Sequence, residues 1–117
     1  MSNCDNIKDV VNKIVKIIDF HKGNKIAVVD LEQQTVIADY FIIAQGESLQ
    51  QVKSLCDYVD EDLKKIDLQH NGIDGYNEGK WIVMDYGDII VHLFRKEERD
   101  YYNLERLWET GRNITYI

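Results

Sequence analysis

The chain has 117 residues, 44% of them apolar and 30% charged, with no proline and a formal net charge of −7. This is the profile of one compact domain; it excludes a disordered chain, and no apolar run is long enough to span a bilayer. The negative charge also speaks against a protein that grips nucleic acid through a uniformly positive surface.

The opening residues, MSNCDNIKDV, lack the basic stretch and apolar core of a signal peptide, so the expected location is the cytoplasm. Cys4 and Cys56 form no CxxC, and no disulfide is expected in that compartment. Ile7, Val10, Val11, Ile14, Ile17 and Ile18 recur at helical spacing and predict an amphipathic helix. His21 and Lys22 fall in its last turn, and Gly23 is placed to close it. Two strands follow, over Ile26–Leu31 and Tyr40–Ala44. Gly46-Glu47-Ser48 then reads as a strand-to-helix junction, with Ser48 as N-cap and Gln51 completing a capping box. The helix it starts carries Leu49, Val52, Leu55, Cys56, Val59, Leu63 and Ile66 on one face. QHNGIDGYNEGK is a polar, glycine-rich connection with a short strand near its start. After a hairpin comes a last short helix, capped by Asp100, with Leu104, Leu107 and Trp108 inward and Gly111 as its stop; residues 110–117 are left as a tail. The order of elements predicts a single α/β domain with a mixed β-sheet and flanking helices.

The hairpin, WIVMDYGDIIVHLF, holds the candidate functional residues. A turn at Gly87 and Asp88 pairs Tyr86 with Ile89, Val83 with His92 and Trp81 with Phe94. One face then carries Ile82, Met84, Tyr86, Ile89, Val91 and Leu93, which is a core face. The other carries Trp81, Val83, Asp85, Ile90, His92 and Phe94. On this second face Asp85 and His92 are diagonal neighbours, expected to hydrogen-bond because neither polar group is buried cheaply alone. Aromatic and aliphatic side chains around a polar pair match the composition of a protein-binding hot spot.

Enzymatic readings find less support. Asp85 and His92 have the skeleton of a general-base dyad, but no nucleophile is marked: Ser48 is committed to capping and Cys56 to a helix core. His21, His70 and His92 are scattered, so no metal is expected, and no cofactor is implied. The Gly46-Glu47-Ser48 turn is a place where a phosphate can meet a helix N-terminus, but an ordinary cap accounts for it as well.

Three segments carry a resemblance: IADYFIIAQGES (Ile37–Ser48), the hairpin from Trp81 to Phe94, and YNLERLW (Tyr102–Trp108). In order and spacing they resemble the Iojap, or ribosomal silencing factor, family. The resemblance implies a translation regulator that is not an enzyme. It implies binding to a basic protein of the large ribosomal subunit, the one numbered fourteen, and a block on joining of the small subunit when nutrients are short. It carries over Trp81, Tyr86 and Phe94 as partner contacts, with Asp85 and His92 as supports of that surface. The net charge and the lack of an apolar span point to no direct nucleic-acid contact and no membrane partner; family members are often dimers, which makes a homodimer a further expectation. The family's fold is similar to that of nucleotidyltransferases, which makes a nucleotide-binding or nucleotidyl-transferring enzyme using Gly46-Glu47-Ser48 the alternative. The magnesium-holding carboxylates of those enzymes do not follow: Asp85 and Asp88 are three apart and separated by Gly87, so they cannot share one strand face.

Overall fold

The computed structural model describes residues 7–117; Cys4 lies outside them. A first helix, α1 (Ile7–Phe20), leads into β1 (Asn24–Asp30) and β2 (Tyr40–Gly46). Then follow α2 (Leu49–Lys64), β3 (Gly72–Asp74), β4 (Trp81–Asp85) and β5 (Ile89–Arg95). Two short helices, α3 (Lys96–Tyr102) and α4 (Leu104–Trp108), and a last strand, β6 (Ile114–Tyr116), complete the chain. The strands form one sheet in the order β3-β4-β5-β2-β1-β6. Only β2 and β5 run parallel, which the crossover through α2 allows. The expected mixed α/β domain is therefore present.

Side-chain alternation divides the interior in two. On one face Ile82, Met84, Val91, Leu93 and Ile42 pack under Ile14 and Ile18 of α1 and Val52, Leu55 and Val59 of α2. On the other face Ala27, Val29, Phe41, Ile43 and Phe94 form a second, smaller core with Leu104 of α4 and Leu31 and Ala38 of the β1–β2 connection. Because β2 lies between both layers, every residue in it is buried.

Two expectations are corrected at the C-terminal end. The predicted single helix capped by Asp100 is two helices, and Asp100 lies inside the first, 3.0 Å from Lys96. Asn103 takes a left-handed conformation, φ 46°, which a short polar side chain tolerates and which turns the chain by a corner between α3 and α4. The residues read as a tail are also structural. Ile114 to Tyr116 pair antiparallel with β1, and the Asn113 side chain donates to the carbonyls of Asp30 and Trp108. Such a tail gave no sequence signal, because a three-residue edge strand has no apolar period to read.

Candidate partner-binding face

The hairpin forms in the expected register, with Trp81 opposite Phe94 and Val83 opposite His92. Gly87 takes φ +87° at the turn, where only glycine is unstrained. Asp85 is the residue whose role changes. Its carboxylate accepts the Gly87 backbone N–H at 2.8 Å and so braces the turn.

The expected Asp85–His92 bond does not form. Instead the Trp81 indole Nε1–H donates to His92 Nδ1 at 3.1 Å. That bond places the proton of the neutral ring on Nε2, which is buried with no partner among the described residues. Burial alone lowers the His92 pKa from 6.5 to about 4, so the ring is neutral at physiological pH. Phe41 meets the imidazole edge-to-face at 4.5 Å, and Phe94 stacks near it at 6.3 Å. His92 is thus a wedge in an aromatic cluster, and no carboxylate orients it as a dyad requires. The other groups weighed for chemistry are equally occupied. Ser48 Oγ accepts from the Gln51 N–H at 3.1 Å, and Gln51 Oε1 accepts from the Glu47 N–H at 2.6 Å. The Cys56 thiol is buried and pushed up to about 12 by burial and by nearby Asp57 and Asp60. No group of three or more potential metal ligands is found among the described residues.

The three contacts carried over from the resemblance are not brought onto one surface. Phe94 is fully buried; Trp81 stacks on it at 4.9 Å, and Leu104 shares its cluster. The cause is the α3–α4 corner, which folds the chain back over the end of β5. Phe94 supports Trp81 from beneath and presents no surface of its own. Tyr86 lies on the opposite face, at the far end of the hairpin, half-buried beside α2, where its hydroxyl is 3.5 Å from Asp60. Burial, then the Asp60 charge, raises its pKa above the usual tyrosine value. Trp81 alone of the three is partly open on the second face.

What surrounds Trp81 is a strip that sequence reasoning saw only in part. Val83 and Ile90 are half-buried on the same face, with Asp85 and the exposed Asp74 of β3 beside them. At the other end of the strip Tyr102 packs on Trp81 at 4.8 Å and keeps 48% of its surface exposed; past the corner, Leu107 of α4, expected to point inward, is 74% exposed. Tyr102 is the last residue of α3, just before the corner, which a buried arginine holds. Arg99 donates to the Glu105 carboxylate at 2.6 Å and 3.2 Å and to the Lys25 carbonyl, tying α3, α4 and β1 together. Nothing in the sequence distinguishes Arg99 from the solvated charges on either side of it.

The sequence profile described as ribosomal silencing factor during starvation matches residues 4–116. The chain belongs to this family. It is 34% identical over 88% of its length to the ribosomal silencing factor of Bacillus subtilis, covering 87% of that protein. A crystal structure of a Chromobacterium violaceum protein superposes with a TM-score of 0.85 at 32% identity, over 87% of this chain and 85% of that one. A more distant relative is the mouse protein named mitochondrial assembly of ribosomal large subunit protein 1, 25% identical over 84% of this chain and 44% of its own. The family match includes the residues of β6, so the tail belongs to the family's domain. Its bacterial members are named as silencing factors rather than as enzymes, and no helix among the described residues is long and apolar enough to cross a membrane.

Proposed function

We propose that the chain silences ribosomes by steric occlusion: it docks on the large subunit through the basic protein numbered fourteen and covers surface that the small subunit needs. The observation that carries this reading is the partly uncovered strip of Trp81, Val83 and Ile90, with Tyr102 at one end and Asp74 and Asp85 at its side. An apolar and aromatic centre with an acidic margin complements a basic protein surface, where apolar burial gives affinity and charge gives orientation and on-rate. The cytoplasm is the compartment this reading requires. A second copy of the chain is the competing occupant of the strip, and the family's large-subunit reading favours the ribosome over it. The nucleotidyl-transfer alternative has no observation in its favour: the Glu47 N–H already donates to Gln51 Oε1, and the Ser48 hydroxyl oxygen already accepts from the Gln51 N–H as the cap of α2.

The test is co-sedimentation with isolated large subunits, followed by a light-scattering assay of subunit joining. The wild-type protein should pellet with large subunits and reduce joining. Trp81→Ala and Ile90→Ser, each checked for folding by circular dichroism, should stay in the supernatant and leave joining intact. Failure of the wild-type protein to pellet would sink the proposal.

A further inference from the structure

The net charge of −7 hides a strong asymmetry. Residues 7–25 hold five lysines against two aspartates, a local +3, while the other 98 residues hold nine cations against nineteen anions. The basic stretch is α1 and its connection to β1. Lys13, Lys16 and Phe20 follow at spacings of three and four, so they share one exposed face of the helix. None of Lys13, Lys16, Lys22 and Lys25 is in an ion pair with a described residue.

Two further observations mark the corner where this helix ends. The first is backbone strain. Lys22 and Lys25 both hold left-handed conformations, φ 73° and 50°, which favour glycine or asparagine and cost a lysine free energy. Retaining lysine at two such positions in one four-residue turn is explained if the charges have a use. The second is an exposed aromatic platform. The His21 and Tyr58 rings stack in parallel, 3.5 Å apart at 5°, and Phe20 meets His21 edge-on while 77% exposed. Cations beside an open aromatic surface are the elements of a contact that neutralises phosphates and stacks bases.

The topology places this corner at the same end of the sheet as Trp81, with α1, α2 and their aromatic platform over the opposite face. β1 begins at the end of the sheet where β2 and β5 finish and β4 starts, since Asn24 pairs with Gln45, Gly46 with Arg95 and Trp81 with Phe94. Asn24 and Trp81 are therefore three strand spacings apart, about 14 Å. The exposed Lys80 lies at the same end. Glu47, which accepts from the Asn24 side chain, and Asp100 and Glu105, which line a cleft with Lys25, lie at this end too; the opposite end carries Asp30, Glu32, Asp39, Asp85 and Asp88.

We infer that the α1–β1 corner, centred on Lys22, Lys25 and Phe20, is a contact for ribosomal RNA, made while the neighbouring strip engages protein. This rests on the large-subunit reading above and adds to it a second partner class. Against the expectation of no nucleic-acid contact, the overall negative charge sets only the average field, and phosphates respond to local charge within a Debye length of about 8 Å.

The test uses Lys22→Asn/Lys25→Asn, in which asparagine suits the left-handed backbone and removes both charges without endangering the fold. Affinity for purified large subunits is measured from about 50 to 300 mM salt, a range over which phosphate contacts register as a slope. The double variant should bind roughly tenfold more weakly at the low-salt end, and its log–log slope should be shallower by about 1.5, from two lost phosphates. Phe20→p-benzoylphenylalanine, irradiated on the large subunit, should crosslink to RNA. An unchanged slope, or a crosslink to protein only, overturns the inference while leaving the protein-docking proposal standing. If the wild-type protein does not bind large subunits at all, both fall together.

Discussion

On one face of the sheet Ile82, Met84, Val91 and Leu93 are fully buried beneath two long helices. On the other, Phe94 and Ile43 are buried as deeply, yet Trp81, Val83 and Ile90 on the same face stay partly open. Both faces are apolar because a strand alternates and β5 alternates two apolar sets. They differ in what covers them: α1 and α2 extend over 14 and 16 residues, whereas α3 and α4 manage seven and five. An amphipathic strand face without a full helical cover is an unfinished core, and a partner is one way to finish it.

Substitutions at adjacent positions of β5 sharpen the comparison most. Leu93→Ala and Phe94→Ala act on opposite faces, and each should cost about 3 kcal/mol in urea unfolding, because each leaves a cavity in a filled core. A much smaller loss for Phe94→Ala would mean that the second face is a surface after all. Next in size is the clasp that holds the short helices in place. Arg99→Ala leaves the partly buried Glu105 without its partner and opens the space of a buried side chain, and should cost about 2 kcal/mol. Its thermal unfolding should lose cooperativity first in the C-terminal residues, read by hydrogen exchange at α3, α4 and β6.

His92 gives the second face a pH signature on the acid side, where the raised Cys56 and Tyr86 of the first face give none. In the unfolded chain its ring titrates near 6.5, and in the fold near 4. Between those values the unfolded state binds the extra proton, so stability is complete above about pH 6.5 and falls as the pH drops toward 4. The full effect is about 3 kcal/mol for a shift of this size. His92→Gln keeps an acceptor for the Trp81 indole and removes the titration. Urea midpoints of the two proteins, compared at pH 7 and pH 4.5, should diverge at the lower pH; parallel curves would show that the buried imidazole is not what titrates.

How much of this was legible in the sequence follows from periodicity. The hairpin register, its turn at Gly87 and the division of its side chains follow from a period of two and one glycine. The same reading misassigned the polar contact, and the reason is geometric. Trp81 and Asp85 are each two residues from Val83, the residue opposite His92, so both are diagonal neighbours of the imidazole on paper. A flat register cannot choose between the two diagonals; strand twist and the competing Gly87 N–H do. Phe94 was misplaced for a related reason. Alternation gives the face but not what lies on it, and the cover comes from a corner at Asn103 whose left-handed turn has no periodic signature. Arg99 and Glu105 are six apart across that corner, a spacing that marks no helix pair.

The smallest expected effect on stability decides most about function. Ile90 is half-buried on the second face of β5, directly opposite Asp85. Ile90→Ser removes apolar area that is already partly in water, so its cost should be about 1 kcal/mol, well below that of Leu93→Ala. If the strip is an unfinished core completed by a partner, the same change should lower large-subunit affinity by about tenfold or more, because a centrally placed apolar group counts fully only once it is desolvated. Val36 in the β1–β2 connection is fully exposed, and Val36→Ser is the control expected to alter neither quantity measurably. A variant that keeps its fold and loses its ribosome separates a binding surface from a core in a way that no core substitution can. If Ile90→Ser instead binds as the wild-type protein does, the open part of the second face is ordinary solvent-exposed sheet, and Tyr102 and Leu107 at the corner become the residues to change next.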